Sequence, residues 1–195
     1  MNNKLLKKYK KILWKPGTIE YPLPAVMVSV GDMDNSNIIT VAWTGVICSD
    51  PAMVYVSLRP SRHSYKIIKE TGEFVINLTT ENLTYTTDWC GVKSGKDIDK
   101  FEKMHLTKQK ADIVKCPMIA ESPISLECKV VEEKEFGSHT MFIAKVLGVH
   151  VAEEYMDKNG AFDISKCNLM AYANGGYYAL GKKLGTFGFS VRKKR

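Results

Sequence analysis

Apolar and polar residues alternate over short stretches of the chain, and this pattern predicts β-strands. The alternation is clear in residues 25–30, 53–58, 124–133 and 140–152. Turn-forming residues separate such stretches, as in Ser49-Asp50-Pro51. Many short strands with few helices predict a mainly β protein built as a small closed barrel.

Residues 38–77 contain the densest series of predicted elements: a strand, a turn, a strand, a polar loop, a helix and a strand. Residues 38–44 (IITVAWT) are β-branched and aromatic, which favours a strand. In the next strand Val54, Val56 and Leu58 share one face, as Val26, Val28 and Val30 do in residues 25–30. Ser64 is placed to cap a helix that ends at Gly72.

The remaining helices are predicted at the edges of this barrel. Residues 4–14 have the spacing of an amphipathic helix that ends at Lys15-Pro16-Gly17, with its apolar face on the barrel or a partner subunit; a membrane-surface helix is the alternative. Residues 81–90 form a helix ended by Gly91, and residues 98–107 form another. Residues 124–133 and 140–152 should pair as an antiparallel hairpin through residues 136–138.

The loop Ser57–Ser64 holds three serine hydroxyls and two guanidiniums, those of Arg59 and Arg62, within eight residues. A helix that begins here would add free backbone N–H groups, which suit a phosphate, and arginine matches phosphate oxygens. The alternative is a solvated basic loop before an ordinary helix. By contrast, residues 91–97 (GVKSGKD) only faintly resemble a phosphate-binding P-loop, because the spacing is one residue short.

Composition narrows the class of protein. The 195 residues, 45% hydrophobic and 25% charged, suit one globular domain over 1–195. No apolar run approaches the roughly 20 residues that span a bilayer, and the N-terminus lacks the features of a secretory signal. Five scattered cysteines without C-x-x-C or metal-ligand spacing predict reduced thiols, a cytoplasmic location and no metal site.

The net charge of +7 is concentrated at the two ends. The first 20 residues hold six lysines and one glutamate, the last 15 hold six basic residues and no acid, and the middle has a net charge of −4. We expect a basic N-terminal arm over residues 1–16 and a basic tail over 191–195. Such arms are typically solvated; nucleic-acid contact is the alternative, although the tails lack a folded nucleic-acid-binding motif.

Several stretches in sequence order resemble the flavin reductase-like family, whose members bind FMN on a split β-barrel. The stretches are 37–45 (NIITVAWTG), 49–51 (SDP), 56–64 (VSLRPSRHS), 72–78 (GEFVINL) and 137–142 (GSHTMF), with a further match from Tyr177 to Ser190. The resemblance extends from about Lys15 onward and is greatest to the flavoredoxin-like branch. It implies a Greek-key antiparallel split barrel with a few peripheral helices, assembled as a homodimer.

The resemblance also implies which residues hold FMN. The TVAWT strand and the SLRPSRHS loop would contact the cofactor, Asn77 would lie close to it, and Tyr177 and Tyr178 would border the site from the same or the partner subunit. The cofactor-binding residues implied by the resemblance are Thr40, Ala42, Trp43, Thr44, Gly45, Ser57, Arg59, Ser61, Arg62, Ser64, Tyr65, Asn77, Tyr177 and Tyr178.

Two of the candidate residues have an ordinary structural alternative. In the family a histidine at the position of His139 lies near the flavin and the nicotinamide donor, so His139 is the candidate catalytic residue; the alternative is a histidine held by backbone at the start of a strand. Trp43 would form a wall for the ring, or it would simply be part of the core.

These observations support one leading function and two alternatives. The leading hypothesis is an FMN-dependent oxidoreductase that moves electrons between NAD(P)H and flavin or an acceptor, with NAD(P)H bound transiently because no dinucleotide-binding motif is present. The first alternative is a flavoredoxin-type electron carrier with a protein redox partner. The second is a non-catalytic module that binds flavin or nucleic acid. No membrane association is expected.

Overall fold

Seven strands form the main sheet of the computed structural model, which describes residues 9–192. Its order is β3-β2-β6-β9-β10-β5-β4, and every neighbouring pair is antiparallel. The strands are β1 Leu23–Pro24, β2 Val26–Gly31, β3 Ser36–Val41, β4 Thr44–Ser49, β5 Ala52–Leu58, β6 Glu73–Leu78, β7 Lys108–Gln109, β8 Met118–Ile119, β9 Ile124–Glu135, β10 Thr140–Val151, β11 Met170–Ala173 and β12 Gly176–Ala179.

The two strands at the ends of this order, β3 and β4, are consecutive in the chain and are joined only by Ala42 and Trp43. This link passes close to β5, because the Ser57 backbone N–H donates to the Trp43 carbonyl at 2.8 Å. The sheet therefore curls back on itself and stays open at the seam between β3 and β4. The mainly β, split-barrel fold expected from the sequence is confirmed.

The barrel interior is filled by the apolar residues that the alternating sequence pattern placed on one face of each strand. The valines of β2 and the residues Val54, Val56 and Leu58 of β5 belong to one buried cluster, together with Phe74 and Phe142. Helix α1, His63–Thr71, closes one end of the barrel with Tyr65 and Ile68. The hairpin of β9 and β10 is also as predicted, with Glu135 and Thr140 as its innermost pair.

Two further clusters lie outside the barrel. Helices α2, Thr84–Val92, and α3, Lys100–Lys103, cover the outer face of β2 and β3 by packing on Met27 and Ile38. The segment 108–119 covers β6 by packing on Val75. Strand β2 is therefore buried on both faces. Short 3₁₀ helices lie at Glu81–Leu83, Glu153–Tyr155, Ile164–Lys166 and Phe189–Val191.

A buried carboxylate holds the segment 108–119 in place over β6. Glu127 on β9 is fully buried and accepts backbone N–H groups from Asp112, Ile113 and Val114 at 2.7–3.1 Å, and the His150 ring nitrogen lies 2.6 Å away. Burial would raise the pKa of Glu127, but these donors outweigh it and hold the pKa below its usual value. The ligand atoms of Asp112, Glu127 and His150 lie within 4.8 Å of one another, yet the donors already occupy the Glu127 oxygens.

Some predicted boundaries are wrong. The strand expected over 38–44 is interrupted at the Ala42–Trp43 link. The helix expected to end before Gly91 begins as a 3₁₀ turn and runs through Gly91 to Val92. Gly91 is needed for packing rather than for termination, because a Cβ there would lie 3.1 Å from the Thr40 Cβ.

Two other helix predictions also need correction. Ser64 does not cap α1: the helix begins at His63, and the Ser64 hydroxyl instead accepts a hydrogen bond from the Asn37 amide at 2.8 Å. Gly72 does end α1, with a left-handed φ of 66°. The helix expected over 98–107 is only the four residues of α3, capped by the Asp99 carboxylate.

The predicted N-terminal helix lies partly outside the described residues, at 4–8, and residues 9–14 are not helical. Ile12, Leu13 and Trp14 are exposed rather than packed on the barrel. Of the predicted basic tail, residues 193–195 likewise lie outside the described part. Across residues 9–192, no helix combines the length and the apolar character required to cross a membrane.

Candidate functional site

A cleft of about 340 Å³ lies where β3 ends and the Ala42–Trp43 link leaves the sheet. Its opposite sides are formed by α2, by the loop after β5 and by the β11–β12 hairpin. This volume is in the range of sites for small ligands and cofactors. Eight of the residues predicted from the sequence line it: Thr40, Ala42, Trp43, Ser57, Arg59, Arg62, His139 and Tyr177.

An aromatic pair forms one wall of the cleft. The Trp43 and His139 rings are stacked, with centroids 6.3 Å apart and planes within 7°. Trp43 is 38% exposed, so it belongs to the cleft and not to the core. The His139 Nδ1 atom lies 2.7 Å from the Ser138 hydroxyl. Burial lowers the pKa of His139, and the charges of Arg59 and Arg62 lower it further.

The opposite wall carries a tyrosine and an acid. The Tyr177 hydroxyl donates to the Asp88 carboxylate at 3.1 Å, joining the β11–β12 hairpin to α2. Burial, followed by the Asp88 carboxylate, raises the pKa of Tyr177 to about 12. Tyr172 packs edge-on against Tyr177 with centroids 5.7 Å apart. Tyr177 therefore remains a neutral hydrogen-bonding group. Its contacts with Asp88 and Tyr172, both in the same chain, hold its side chain in the cleft.

The cleft is basic at the end where the loop after β5 enters α1. Arg59 and Arg62 both line it, and neither lies within ion-pair distance of a carboxylate in the described chain. A smaller lobe of about 110 Å³ continues from this end and shares Ile39, Arg62, Gly91 and Val92 with the main cleft. The predicted residues Ser61 and Ser64 line this lobe.

Sequence reasoning missed several residues that line these spaces. Asp88, Gly91 and Val92 come from α2, and Tyr172 comes from β11. The lobe is also lined by residues from the segment rejected as a P-loop, including Lys93 and Ser94, and by Lys100. That segment is the end of a helix and the loop after it, so the P-loop interpretation stays rejected. Its mixture of Gly, Lys and Ser was nevertheless a usable signal that this segment lines a basic space.

Three predicted residues face away from the cleft. The Thr44 hydroxyl donates to the Tyr55 carbonyl at 2.7 Å and is buried on β4. A Cβ on Gly45 would lie 3.0 Å from the Tyr55 ring, so this glycine accommodates a tyrosine. Tyr65 is in the barrel core, with its hydroxyl 3.3 Å from that of Thr140.

Asn77 and Tyr178 also lie outside the lining of the cleft. The fully buried Asn77 amide donates to the Met27 carbonyl and the Ser29 hydroxyl and accepts from the Ile119 backbone N–H. These contacts hold β2 and β8 against β6, which is a structural use of the side chain. Tyr178 is 58% exposed on the opposite side of β12 from Tyr177.

The fold and the site together define a class of protein. A seam in an antiparallel barrel, with an aromatic wall on one side and unpaired arginines at one end, forms a binding site for a flat ligand that carries an anionic group. The chain belongs to the flavin reductase-like family, since the flavin reductase like domain matches residues 18–181.

Known proteins similar to this chain agree with that assignment. The flavoredoxin of Desulfovibrio vulgaris (Miyazaki F) is 32% identical with a TM-score of 0.86, covering 94% of this chain and 100% of that chain. An uncharacterized protein of Pyrococcus abyssi is 34% identical over 76% of this chain and 82% of its own length. An NADH-dependent FMN reductase of Streptomyces nodosus subsp. asukaensis is 24% identical over 71% of this chain and 78% of its own length.

The lowered pKa of His139 gives a test of the charge distribution in the cleft. We expect Arg59→Ala to raise the pKa of His139, because removing a nearby positive charge makes the protonated ring less unfavourable. Proton NMR of the imidazole resonances against pH measures this. Arg192→Ala, which removes an exposed charge outside the cleft, is the control. An unchanged His139 titration in Arg59→Ala would contradict the proposed proximity of the two groups.

Proposed function

We propose that this chain binds FMN in the cleft and transfers electrons through it as an oxidoreductase. The observation that supports this most directly is the pairing of an aromatic wall with an arginine-rich end that has no acidic partner in the described chain. An isoalloxazine ring needs an apolar or aromatic surface, and the phosphate of FMN needs cations and N–H donors. The cleft offers both within one continuous space.

The residues present fit FMN, each through its own chemistry. Ala42 and Trp43 would face the ring, while Arg59, Ser61 and Arg62 would hold the phosphate near the N-terminus of α1. Bound FMN supplies the redox chemistry, and the protein sets its binding and orientation. The lowered pKa of His139 favours its neutral ring, so His139 adds no positive charge beside the arginines and one of its ring nitrogens can accept a proton.

We further propose that NAD(P)H is the electron donor and that it binds transiently over the flavin beside His139. The similarity to an NADH-dependent FMN reductase supports this. A second candidate is a flavoredoxin-type carrier that receives its electrons from a redox protein. The greater similarity to a flavoredoxin, over nearly the whole of both chains, favours this second candidate. The non-catalytic alternative requires that the bound flavin not be reduced at all.

We also propose a homodimer in a reducing, cytoplasmic compartment. From the middle of β12 onward the chain exposes a series of large apolar side chains, and a monomer rarely leaves so many in one region. The exposed residues are Tyr178, Leu180, Leu184, Phe187 and Phe189. The five cysteines are all unpaired and four of them are buried, as suits a compartment without disulfide formation.

The arginines should make binding selective for the phosphorylated flavin. We expect Arg59→Ala and Arg62→Ala each to weaken FMN binding by roughly tenfold, because each removes a charge-assisted contact to phosphate. Riboflavin affinity should barely change. Titrations followed by flavin fluorescence measure both. Lys66→Ala, which removes an exposed charge from α1 outside the cleft, is the matched control. Equal losses for both flavins would show that the arginines support the fold instead.

Anaerobic reduction separates the two functional candidates. Protein loaded with FMN should lose its oxidised-flavin absorbance when NADH or NADPH is added, faster than free FMN does. His139→Ala should slow this reduction with little change in FMN affinity, because the residue would act at the donor side. If dithionite bleaches the bound flavin but neither nucleotide does, the electron-carrier function replaces the reductase function. A protein that takes up no FMN would exclude both.

The dimer is tested by sedimentation velocity. At concentrations well above the micromolar range we expect a species of twice the chain mass. Replacing Leu184 and Phe187 by serine should shift it toward monomer, because both side chains are almost fully exposed in the single chain. Tyr85→Ser, at an exposed aromatic on α2, should leave the dimer intact. A wild-type protein that sediments only as a monomer would refute the proposal.

A further inference from the structure

A histidine and two carboxylates converge on the outer face of the barrel, away from the cleft. The His150 Nε2 atom lies 2.6 Å from the Glu127 Oε1 atom and 4.0 Å from the Asp112 Oδ2 atom. The three residues belong to three separate parts of the fold, which are β10, β9 and the segment 108–119 that covers β6. None of them lines the cleft or its smaller lobe.

A β-bulge brings His150 to the same face of the sheet as Glu127. Earlier in β10 the even-numbered residues Ala144 and Val146 face the barrel interior. The register between β10 and β9 shifts between Val146 and Gly148, where β10 contains one extra residue. A bulge of this kind re-aims the side chains that follow it. The alternation of β10 is therefore reversed, and the even-numbered His150 points outward.

The charges of this cluster are not balanced within the described chain. Glu127 is fully buried, and the three backbone N–H groups that it accepts carry no net charge. No lysine or arginine between residues 9 and 192 lies within ion-pair distance of Glu127 or Asp112. With a neutral imidazole the cluster carries two negative charges, and a divalent cation balances both.

The donor atoms suit zinc. One imidazole nitrogen and two carboxylate oxygens are ligands that Zn²⁺ accepts, with water as the fourth, in a tetrahedron with bonds of about 2.0–2.2 Å. Ligand atoms in such a tetrahedron lie about 3.3 Å apart, a value between the observed separations of 2.6 Å and 4.0 Å. The Asp112 side chain is exposed and can close the remaining distance by a change of rotamer. Mg²⁺ and Ca²⁺ prefer oxygen ligands alone.

We propose that Asp112, Glu127 and His150 bind Zn²⁺ and that the metal links the segment 108–119 to the β9–β10 hairpin. Backbone N–H groups occupy three acceptor positions of Glu127, and the fourth faces His150. Zn²⁺ replaces the proton that the His150 Nε2 atom donates there. That proton moves through solvent to Nδ1, so the ring stays neutral and no backbone contact is lost.

The site is formed by the fold and not by a spacing motif. Asp112 and His150 lie 15 and 23 residues from Glu127 in the sequence, on opposite sides of it. The contact of residue 112 with Glu127 uses its backbone N–H group and not its side chain. Zinc binding is therefore an addition to the Glu127 contacts in this chain, and a protein without the Asp112 carboxylate should still fold.

The first experiment is a calorimetric titration of the full chain with Zn²⁺. The protein carries no histidine tag and is freed of metal with a chelator that is then removed. We expect one Zn²⁺ per chain. Asp112→Ala and His150→Gln should each weaken binding by roughly tenfold or more, because each removes a ligand. Glutamine keeps an N–H group for Glu127, so His150→Gln preserves that hydrogen bond.

Matched variants control for other ligands. Asp97→Ala and His105→Asn remove an exposed acid and an exposed histidine outside the cluster and should keep the wild-type affinity. Asparagine suits position 105 because the backbone there has a left-handed φ of 53°. Cys48 is the one cysteine of the five that is not buried, and Cys48→Ser should also leave Zn²⁺ binding unchanged.

Four results would overturn the assignment. They are a wild-type protein that binds no Zn²⁺, an unchanged affinity in Asp112→Ala, a loss of affinity in Cys48→Ser, and equal affinities for Zn²⁺ and Mg²⁺. If His150→Gln does not fold, Asp112→Ala decides the question, because it removes only an exposed side chain.

The second experiment tests the link to the segment 108–119. Zn²⁺ at about a hundredfold its dissociation constant should raise the Tm of the wild type by roughly 5–10 °C. It should also slow amide hydrogen exchange in the segment 108–119 more than in α1. Asp112→Ala should show neither change. Zinc that binds without protecting this segment more than α1 would show that the metal does not link it to the hairpin.

This inference does not depend on flavin binding, because the three residues lie outside the cleft. If the wild-type protein takes up no FMN, the proposed function fails, and the zinc titration still decides the metal site. If the protein binds FMN but no Zn²⁺, the metal site is refuted and the proposed function stands.

Discussion

Closure of the sheet is the constraint on which the site depends. Its two end strands are joined by a link of two residues, so the chain must step across the seam within Ala42 and Trp43. The step turns Trp43 out of the core and places it against His139 at the mouth of the cleft. A continuous strand here would have kept a closed interior and no cleft. The cleft is a direct result of an incomplete barrel.

Positive side chains are concentrated beside the seam between β3 and β4. The middle of the chain is mildly acidic overall, yet the lobe beside the seam gathers Arg62, Lys93 and Lys100 without an acid among its lining residues. The single acid of the main cleft, Asp88, is engaged by Tyr177 at 3.1 Å. Local charge therefore differs in sign from the surrounding sequence, and a low dielectric strengthens its effect on a bound anion. Burial lowers the pKa values of His139 and Lys100, and the positive charge of Arg62 lowers both further.

The barrel strands were predictable because their alternation is local, and the family resemblance indicated the arginine loop and the residues Ala42 and Trp43, although not the break in the strand there. What the sequence did not reveal depends on distant packing. Gly91 looked like a helix end, but it is needed where α2 approaches Thr40. Asn77 was expected beside the flavin, yet its partners come from strands far away in sequence. Lys100 could not be recognised because its burial arises from contact with Ile38, 62 residues earlier.

The contacts of Glu127 have a consequence for how this sequence can change over time. The carboxylate binds the backbone N–H groups of residues 112–114 and none of their side chains. Any residue except proline supplies the same donor, so these contacts allow the exposed positions 112 and 113 to vary in composition, whereas Val114 is constrained by its packing in the buried cluster with Val75. Glu127 itself has no such freedom. Relatives should therefore differ widely at positions 112 and 113 while retaining the acid that holds the segment in place.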